Sequence, residues 1–296
     1  MIRSLPSVSV IIPVKNRAEQ VQDAIRSVLD QSLSDFELIV VDDGSNDNLA
    51  EAVRQFTDER IHLLIHDVSR GAGAARNTGI NHAHGRYCAF LDSDDRWEPA
   101  KLERQLSFMT ATPECMISCT AFHCVTPYCP EGEIRKAPAV MTYRHMMFGC
   151  SISPGSTMIA ERSFLNSIDL FDVALQRLED WDLLLRAARK TLIYVLNDPL
   201  SIVNFAGNAV PYEAVAASCK RIRNGAGCAD LPLTYRMILN STIQNELAVA
   251  AYRNRQFGRA ARHFAFAMLQ YPRKDLSYFF RILRAVWTDF LARKFR

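Results

Sequence analysis

Strand-like and helix-like runs alternate along the first hundred residues. Val8-Ser9-Val10-Ile11-Ile12-Pro13 is a short β-branched run of the kind a sheet buries on both faces. Ala18 to Asp30 then places Val21, Ile25, Val28 and Leu29 at helical spacing. Phe36–Val41 predicts a second strand, residues 50–56 a helix, Ile61–Ile65 a third strand, residues 72–83 a helix, and residues 87–91 a fourth strand. Such an order predicts an open, mostly parallel sheet with helices on both faces, in which ligands bind at the carboxyl ends of the strands. Asp42-Asp43-Gly44-Ser45 and Asp92-Ser93-Asp94-Asp95 fall at two of those ends.

Beyond residue 98 the pattern predicts a helix over 99–110, a strand over 116–125, a loop over 128–138, a strand over 156–160 and a helix after it. A helix over 179–189 and two last strands, 192–196 and 201–205, follow. From Leu233 onward the pattern is helical. Leu247, Ala248, Ala251, Tyr252, Gly258, Ala261, Phe264, Ala267 and Pro272 resemble one tetratricopeptide-like hairpin, too little for a free-standing solenoid. This divides the chain into an α/β domain, 1–210, and a helical region, 211–296.

Composition narrows the class. The 296 residues are 49% hydrophobic and 23% charged, as in globular proteins, and no apolar run approaches the ~20 residues that span a bilayer. Residues 1–6 lead into the first strand without a signal-type apolar stretch, so a cytoplasmic location is expected. The eight cysteines are expected as reduced thiols, and Cys115, Cys119, Cys124 and Cys129 lack the spacing of a zinc knuckle. The seven histidines show no ligand pattern. From Arg253 on, eleven Arg and Lys face only Asp275 and Asp289, against a mild acidic excess before them. Residues 277–296 interleave Phe279, Phe280, Leu283, Val286, Trp287 and Phe290 with Arg281, Arg284, Arg293, Lys294 and Arg296. This segment suits either packing on the preceding helices or peripheral contact with an anionic membrane. Nucleic acid is not an expected partner, since no recognition module accompanies the charge.

Three acidic motifs carry the candidate chemistry. Asp92, Asp94 and Asp95 crowd like charges that a divalent cation would relieve, yet the same turn also serves as a helix N-cap. A carboxylate of Asp42-Asp43 suits the imide N–H of a uracil or an amine of another base, while Asp-Gly is equally a tight turn. Glu179-Asp180-Trp181-Asp182 opens a helix; acidic residues there satisfy the helix dipole, or one of them serves as general base. Trp181 and the leucines after it would fix that helix on the core. In 72–77 the small residues allow close approach of a ligand, and Arg76 suits a phosphate or a supporting role.

In this order, Val8–Arg17, Asp42–Ser45, Ala75–Ile80, Phe90–Asp95 and Glu179–Asp182 resemble the family 2 glycosyltransferases of the GT-A fold, over roughly residues 6–205. The resemblance implies a Rossmann-like GT-A sheet and an inverting transfer of a sugar from a nucleotide diphosphate, a UDP-sugar foremost, with Mn²⁺ or Mg²⁺ as cofactor. The acceptor would be a saccharide or a lipid-linked hydroxyl in polysaccharide or glycolipid assembly. By motif, Pro13, Val14 and Asn16 would line the nucleotide, Asp43 would meet the base and Asp92 the ribose or donor sugar. Asp94 would bind the metal and Asp180 would be the base, with Asp42, Asn77, Asp95, Glu179 and Trp181 in support. Asp169-Leu170-Phe171-Asp172 departs from the Gly-x-Phe-Asp of many relatives. No Gln-x-x-Arg-Trp follows Asp180, which argues against a processive synthase. Two alternatives remain: a sugar-phosphate nucleotidyltransferase, disfavoured by Pro13–Arg17 standing where a Gly-rich loop belongs, and a catalytically silent binding protein.

Overall fold

The protein is described by a computed structural model covering residues 5–127, 129–205 and 210–271. The parallel half comes first. Strands β1 (Val8–Val14), β2 (Phe36–Asp42), β3 (Ile61–Ile65) and β4 (Tyr87–Phe90) alternate with helices α1 (Gln20–Leu29), α2 (Leu49–Arg54) and α3 (Ala72–His82). They pair in the order β3-β2-β1-β4, all parallel. β1 and β2 are buried throughout, and their alternate residues feed two cores. Ile11, Ile39 and Val41 join the core that also holds Phe90 and Trp181, whereas Val10, Ile12, Leu38 and Val40 face α1. That two-sided burial is why these strands are rich in β-branched residues, and the buried polar pair that interrupts them is satisfied internally, Ser9 Oγ donating to Glu37 Oε1 at 2.6 Å. α3 lies directly on β1: a Cβ on Gly79 would come within 2.5 Å of Ile11 Cγ2.

The sheet then changes character. β5 (Arg96–Trp97), α4 (Lys101–Ala111), β6 (Ile117–Thr126), β7 (Cys129–Arg135), β8 (Val140–Met141), α5 (Tyr143–Met146), α6 (Pro154–Thr157), β9 (Ile159–Glu161), α7 (Arg162–Ser167), α8 (Glu179–Ala188) and β10 (Ile193–Asn204) follow. β9 inserts antiparallel between β4 and β6, and β10 runs parallel to β6 and antiparallel to β5, giving the path β3-β2-β1-β4-β9-β6-β10-β5. The sheet is thus parallel where the βα alternation predicts it and mixed beyond.

Three local expectations are corrected. The loop expected over 128–138 contains β7, an edge strand on β6 with exposed Pro130, Glu131 and Glu133. Prolines and charges fit an edge, where no second ladder needs an N–H. The two last strands are one, β10, with its register broken around Pro199. Residues 156–157 belong to α6, and the strand begins only at Ile159.

After Asn204 come α9 (Tyr212–Asn224), α10 (Leu233–Arg253) and α11 (Phe257–Gln270). α10 and α11 form a hairpin through Ala251, Ala260 and Ala267, with Ser241 Oγ donating to the Ala267 carbonyl at 2.9 Å. Pro272 and the aromatic-basic segment 277–296 lie outside the described residues. Among the described residues, no helix is long and apolar enough to cross a membrane.

Candidate active site

The carboxyl ends of β1, β2 and β4 converge on one edge, and each motif is fixed there by its own loop chemistry. At the end of β2, Asp42 Oδ1 accepts the Ser45 N–H at 2.8 Å, a turn closed by the aspartate side chain. Gly44 takes φ +67°, where a side chain would also strike the Val68–Ser69 backbone. Asp43 is buried, and all four of its lone-pair positions are taken by the chain itself. Oδ1 accepts from His66 Nδ1 (2.8 Å) and the Arg70 N–H (2.8 Å); Oδ2 accepts from Ser69 (2.7 Å) and the Gly71 N–H (2.9 Å). Burial works against its charge, but these donors outweigh it and hold the carboxyl below its ordinary value. Asp43 therefore organises the loop before α3, and turning to a base requires it to release one of these partners.

Pro13 and Val14 are buried at the end of β1, while Asn16 is exposed with φ +52°. Asn16 N–H donates to Ser45 Oγ (2.9 Å) and its side-chain oxygen accepts the Asn46 N–H (2.7 Å), so the β1 and β2 loops are clasped together.

After β4, the three aspartates point to different partners. Asp95 is turned inward, accepting from the Ser156 hydroxyl and from the Asn204 N–H at 2.8 Å. Burial first, and the Asp92 charge second, push its carboxyl well above the ordinary range. The Asp92 N–H donates to the same Ser156 Oγ (3.0 Å), and the Asn204 side-chain amide donates to the Asp94 carbonyl. Ser156 and Asn204 thus hold the turn from the second half of the sheet, joined by Trp97, whose indole N–H donates to the Ser156 carbonyl at 2.7 Å. Gly155 makes room for Asp92, since a Cβ there would sit 2.5 Å from Oδ2. Asp94 is left facing Arg17, whose Nη1 lies 2.8 Å from Oδ1. Burial raises the Asp94 carboxyl, and Arg17 only partly opposes this.

Arg76 lies elsewhere than expected for a phosphate ligand. Its side chain is 5% exposed, with Nη2 2.7 Å from Asp92 Oδ1 and Nη1 2.8 Å from Glu179 Oε1. The guanidinium also sits 5.3 Å from the Phe171 ring centre, and Phe171 stands edge-on to Phe90. One buried cation therefore binds the acidic turn after β4 to the acidic start of α8. The small residues of α3 receive protein rather than ligand: the Cβ position of Gly73 is 3.5 Å from Phe171 Cβ and 3.8 Å from Glu179 Cβ.

Asp180 follows Glu179 on α8 and is half-buried. Burial pushes its carboxyl up to about 6; Glu179 adds to the rise, and Arg76, the Trp181 N–H and Arg177 oppose it. Trp181 is buried, its indole donating to the Met146 carbonyl at 2.7 Å, and Leu183, Leu184 and Leu185 are wholly buried beside it, so the carboxylate rides on a fixed helix. Asn77 exchanges two hydrogen bonds with the Phe171 backbone, at 2.8 and 3.0 Å, and so places the loop that enters α8. The unusual Asp169 takes φ +61°, the conformation a glycine would supply there, and Asp tolerates it.

Ser156, Asn204 and His66 are site residues that lie outside the motifs, and Arg17 lies within one that assigns it no role. His66 bridges Asp43 and Thr78 (3.0 Å). Among the described residues, no three His, Cys, Asp or Glu side chains gather as a complete metal cage. Asp94 nonetheless already holds one cation, the Arg17 guanidinium, and a hard divalent ion needs only one or two carboxylates when substrate phosphates complete its shell.

Comparison with known proteins places this geometry. Residues 9–160 match the family model described as glycosyl transferase family 2. The chain is 34% identical over 213 residues to the putative teichuronic acid biosynthesis glycosyltransferase TuaG of Bacillus subtilis, covering 69% of this chain and 81% of that one. It is 35% identical over 190 residues to the Escherichia coli UDP-Glc:alpha-D-GlcNAc-diphosphoundecaprenol beta-1,3-glucosyltransferase WfgD, covering 64% and 73%. Its fold is similar to that of S. aureus TarS 1–349 in complex with UDP, with TM-score 0.63 at 18% identity over 91% of this chain and 94% of that one.

Removing the shared cation should be costly, because it strands two carboxylates. Arg76→Met is expected to destabilise the protein by about 3–5 kcal/mol, measured by chemical denaturation. Arg76→Met with unchanged stability would show that the bridge is dispensable.

Proposed function

The chain belongs to glycosyl transferase family 2, and from that premise we propose that it transfers a sugar, with inversion, from a UDP-sugar to a hydroxyl of a saccharide or lipid-linked acceptor in cell-surface polysaccharide or glycolipid assembly. That it is a glycosyltransferase follows from the family and from the curated relatives. The single observation that carries the mechanism is the Arg76 bridge, which joins the donor-side turn of Asp92 and Asp94 to the α8 start that bears Asp180. The lipid-linked acceptor and the UDP-sugar are supported by WfgD, whose name gives both a UDP-Glc donor and a diphosphoundecaprenol acceptor, and by UDP bound to TarS.

Asp180 is proposed as the base. Its carboxyl, raised by burial, is a better proton acceptor than an exposed aspartate, yet is ionised above about pH 6. It would take the acceptor proton as the oxygen attacks the anomeric carbon opposite the leaving diphosphate, and back-side attack inverts that centre. Pro13, Val14 and Asn16 would line the nucleotide, Asp43 would meet its base on giving up an internal partner, and Asp92 would face the ribose or donor sugar. Asp94 would hold Mn²⁺ or Mg²⁺, which when bound supplies Lewis-acid stabilisation of the leaving diphosphate. Asp42, Asp95, Asn77, Glu179 and Trp181 keep those groups in register, so that donor and acceptor meet in line.

The C-terminal region would seat the enzyme against an anionic membrane. Exposed Phe257, Phe266 and Leu269 on α11 stand among exposed Arg255, Arg259 and Arg262, and the segment 277–296 continues the same basic-aromatic composition.

Asp180→Asn should cut turnover with UDP-glucose and a GlcNAc-diphosphate-lipid acceptor by about 10²–10⁴-fold while leaving UDP binding intact. In the unaltered protein, turnover should fall as pH drops through about 6 and level off above it, because protonation removes the base. A flat profile from pH 5 to 8 argues against Asp180 in this role. With Asp94→Ala, the rise in melting temperature that UDP produces together with Mn²⁺ should vanish, whereas the unaltered protein shows it. Vesicles containing anionic lipid should float the full chain and release one ending before Ser277; equal flotation would rule out the tail as the contact.

A further inference from the structure

The loop that delivers Asp180 to its place is held in part from outside the α/β sheet. Residues 168–178 join α7 to α8, and three of them, Asp169, Leu170 and Leu178, sit at positive φ (+61°, +54° and +65°) without being glycine. Leu178 directly precedes Glu179 and Asp180. Such conformations persist only when surrounding contacts over-determine them. Two ties come from the sheet-bearing half: Asn77 on the Phe171 backbone, and Arg186, which donates to the Leu170 carbonyl at 2.7 Å and to the Ile168 carbonyl. Both hold the beginning of the loop.

The middle is tied by Asp172, and its partner belongs to α9. Arg221 donates through Nε to Asp172 Oδ2 and through Nη2 to Oδ1 at 3.0 Å, a forked pair. Asp172 Oδ1 in turn accepts the Ala174 N–H at 3.1 Å, so the ion pair and the turn share one carboxylate. Burial opposes the charge of Asp172, but Arg221 and the Ala174 N–H outweigh it and hold the carboxyl below its ordinary value.

α9 is itself locked to α8. The turn after it, Ala226–Cys228, places Gly227 so close to Leu185 that a Cβ would lie 3.1 Å from Leu185 Cβ. Tyr143 Oη donates to the Gly227 carbonyl at 2.5 Å, and Arg189 Nη1 donates to the Ala229 carbonyl at 2.6 Å. One external element thus registers both α8 and the loop that precedes it.

We propose that Arg221 is a positioning residue for the acceptor: through its forked pair with Asp172, α9 fixes from outside the sheet the loop that carries Asp180. This rests on the reading of Asp180 as base. The donor side meets this loop only through the Arg76 bridge to Glu179 and has further supports that the pair does not touch: Ser156, Asn204 and the clasped loops of Asn16 and Asp43. Loss of the pair loosens residues 172–178, leaving buried Leu175 as their anchor on the core, while those contacts stay in place. Lysine cannot replace the fork, since a single ammonium makes no parallel pair with a carboxylate.

In full-length Arg221→Gln and Asp172→Asn, backbone amides across 172–178 should exchange with solvent about tenfold faster, with the melting temperature and its rise on adding UDP and Mn²⁺ unchanged. With UDP-glucose and a GlcNAc-diphosphate-lipid acceptor, the acceptor KM should rise about tenfold and the donor KM stay fixed. The exchanged pair Asp172→Arg with Arg221→Asp should recover much of both effects. Unaltered amide exchange in either single variant, or donor and acceptor KM rising together, would overturn the proposal. If neither protein turns over that substrate pair, the donor and acceptor reading fails, and the exchange rates still decide for or against the tie.

Discussion

Everything at this site depends on one guanidinium buried between two carboxylates. A wholly desolvated arginine is tolerable only where opposite charge and hydrogen-bond acceptors replace water, and Asp92 and Glu179 supply both at 2.7 and 2.8 Å. The arrangement is electrostatically frugal, because neither carboxylate needs a cation of its own. It also fixes geometry, since the fork of Arg76 sets the spacing between the end of β4 and the start of α8. Two motifs eighty-odd residues apart in sequence thereby become neighbours.

The remaining charges are balanced only in part. Asp94, Asp95 and Asp180 are all raised by burial; Asp95 accepts from Ser156 and Asn204, while Asp94 faces the Arg17 guanidinium and Asp180 accepts the Trp181 N–H. Negative charge that the fold does not neutralise is stored where a cationic ligand, or a proton from a substrate, would relieve it. In Asp43 the opposite holds: the chain satisfies that carboxylate fully, and its acidity is spent on shaping a loop.

Much of this was legible in the linear pattern, and the failures share a cause. β1, β2 and β4 declare themselves because strands buried on both faces are apolar at nearly every position, and the acidic turns declare themselves because they sit at strand ends. β7 was not legible, as an edge strand needs no apolar face and accepts Pro130. For Arg76 the sequence leaves a phosphate and a supporting role equally open, because it shows a cation among small residues but not the carboxylates across from it. Ser156 and Asn204 carry no local signal; their worth comes only from the sheet, where β9 runs antiparallel to β4 so that the residues entering it lie by the acidic turn, and the end of β10, parallel to β6, reaches the same edge. His66 looked ordinary for the same reason. What the chain does not reveal by itself is pairing across long sequence separations, where loop-closure cost is met by contacts made elsewhere.

The insertion of β9 beside β4 has a consequence for how the protein comes into being. The acidic turn is spelled out by residue 95, yet its supports arrive with Ser156, Glu179 and finally Asn204. During synthesis the parallel half can collapse around β1 long before then, with Arg17 and Arg76 already at hand for Asp94 and Asp92, but the turn still lacks Ser156, Glu179 and Asn204. The last support therefore comes late, when β10 pairs with β6 and Asn204 reaches back to Asp95 and to the Asp94 carbonyl. A nascent chain that stops before Asn204 holds the strands and the Arg76 bridge without that final tie.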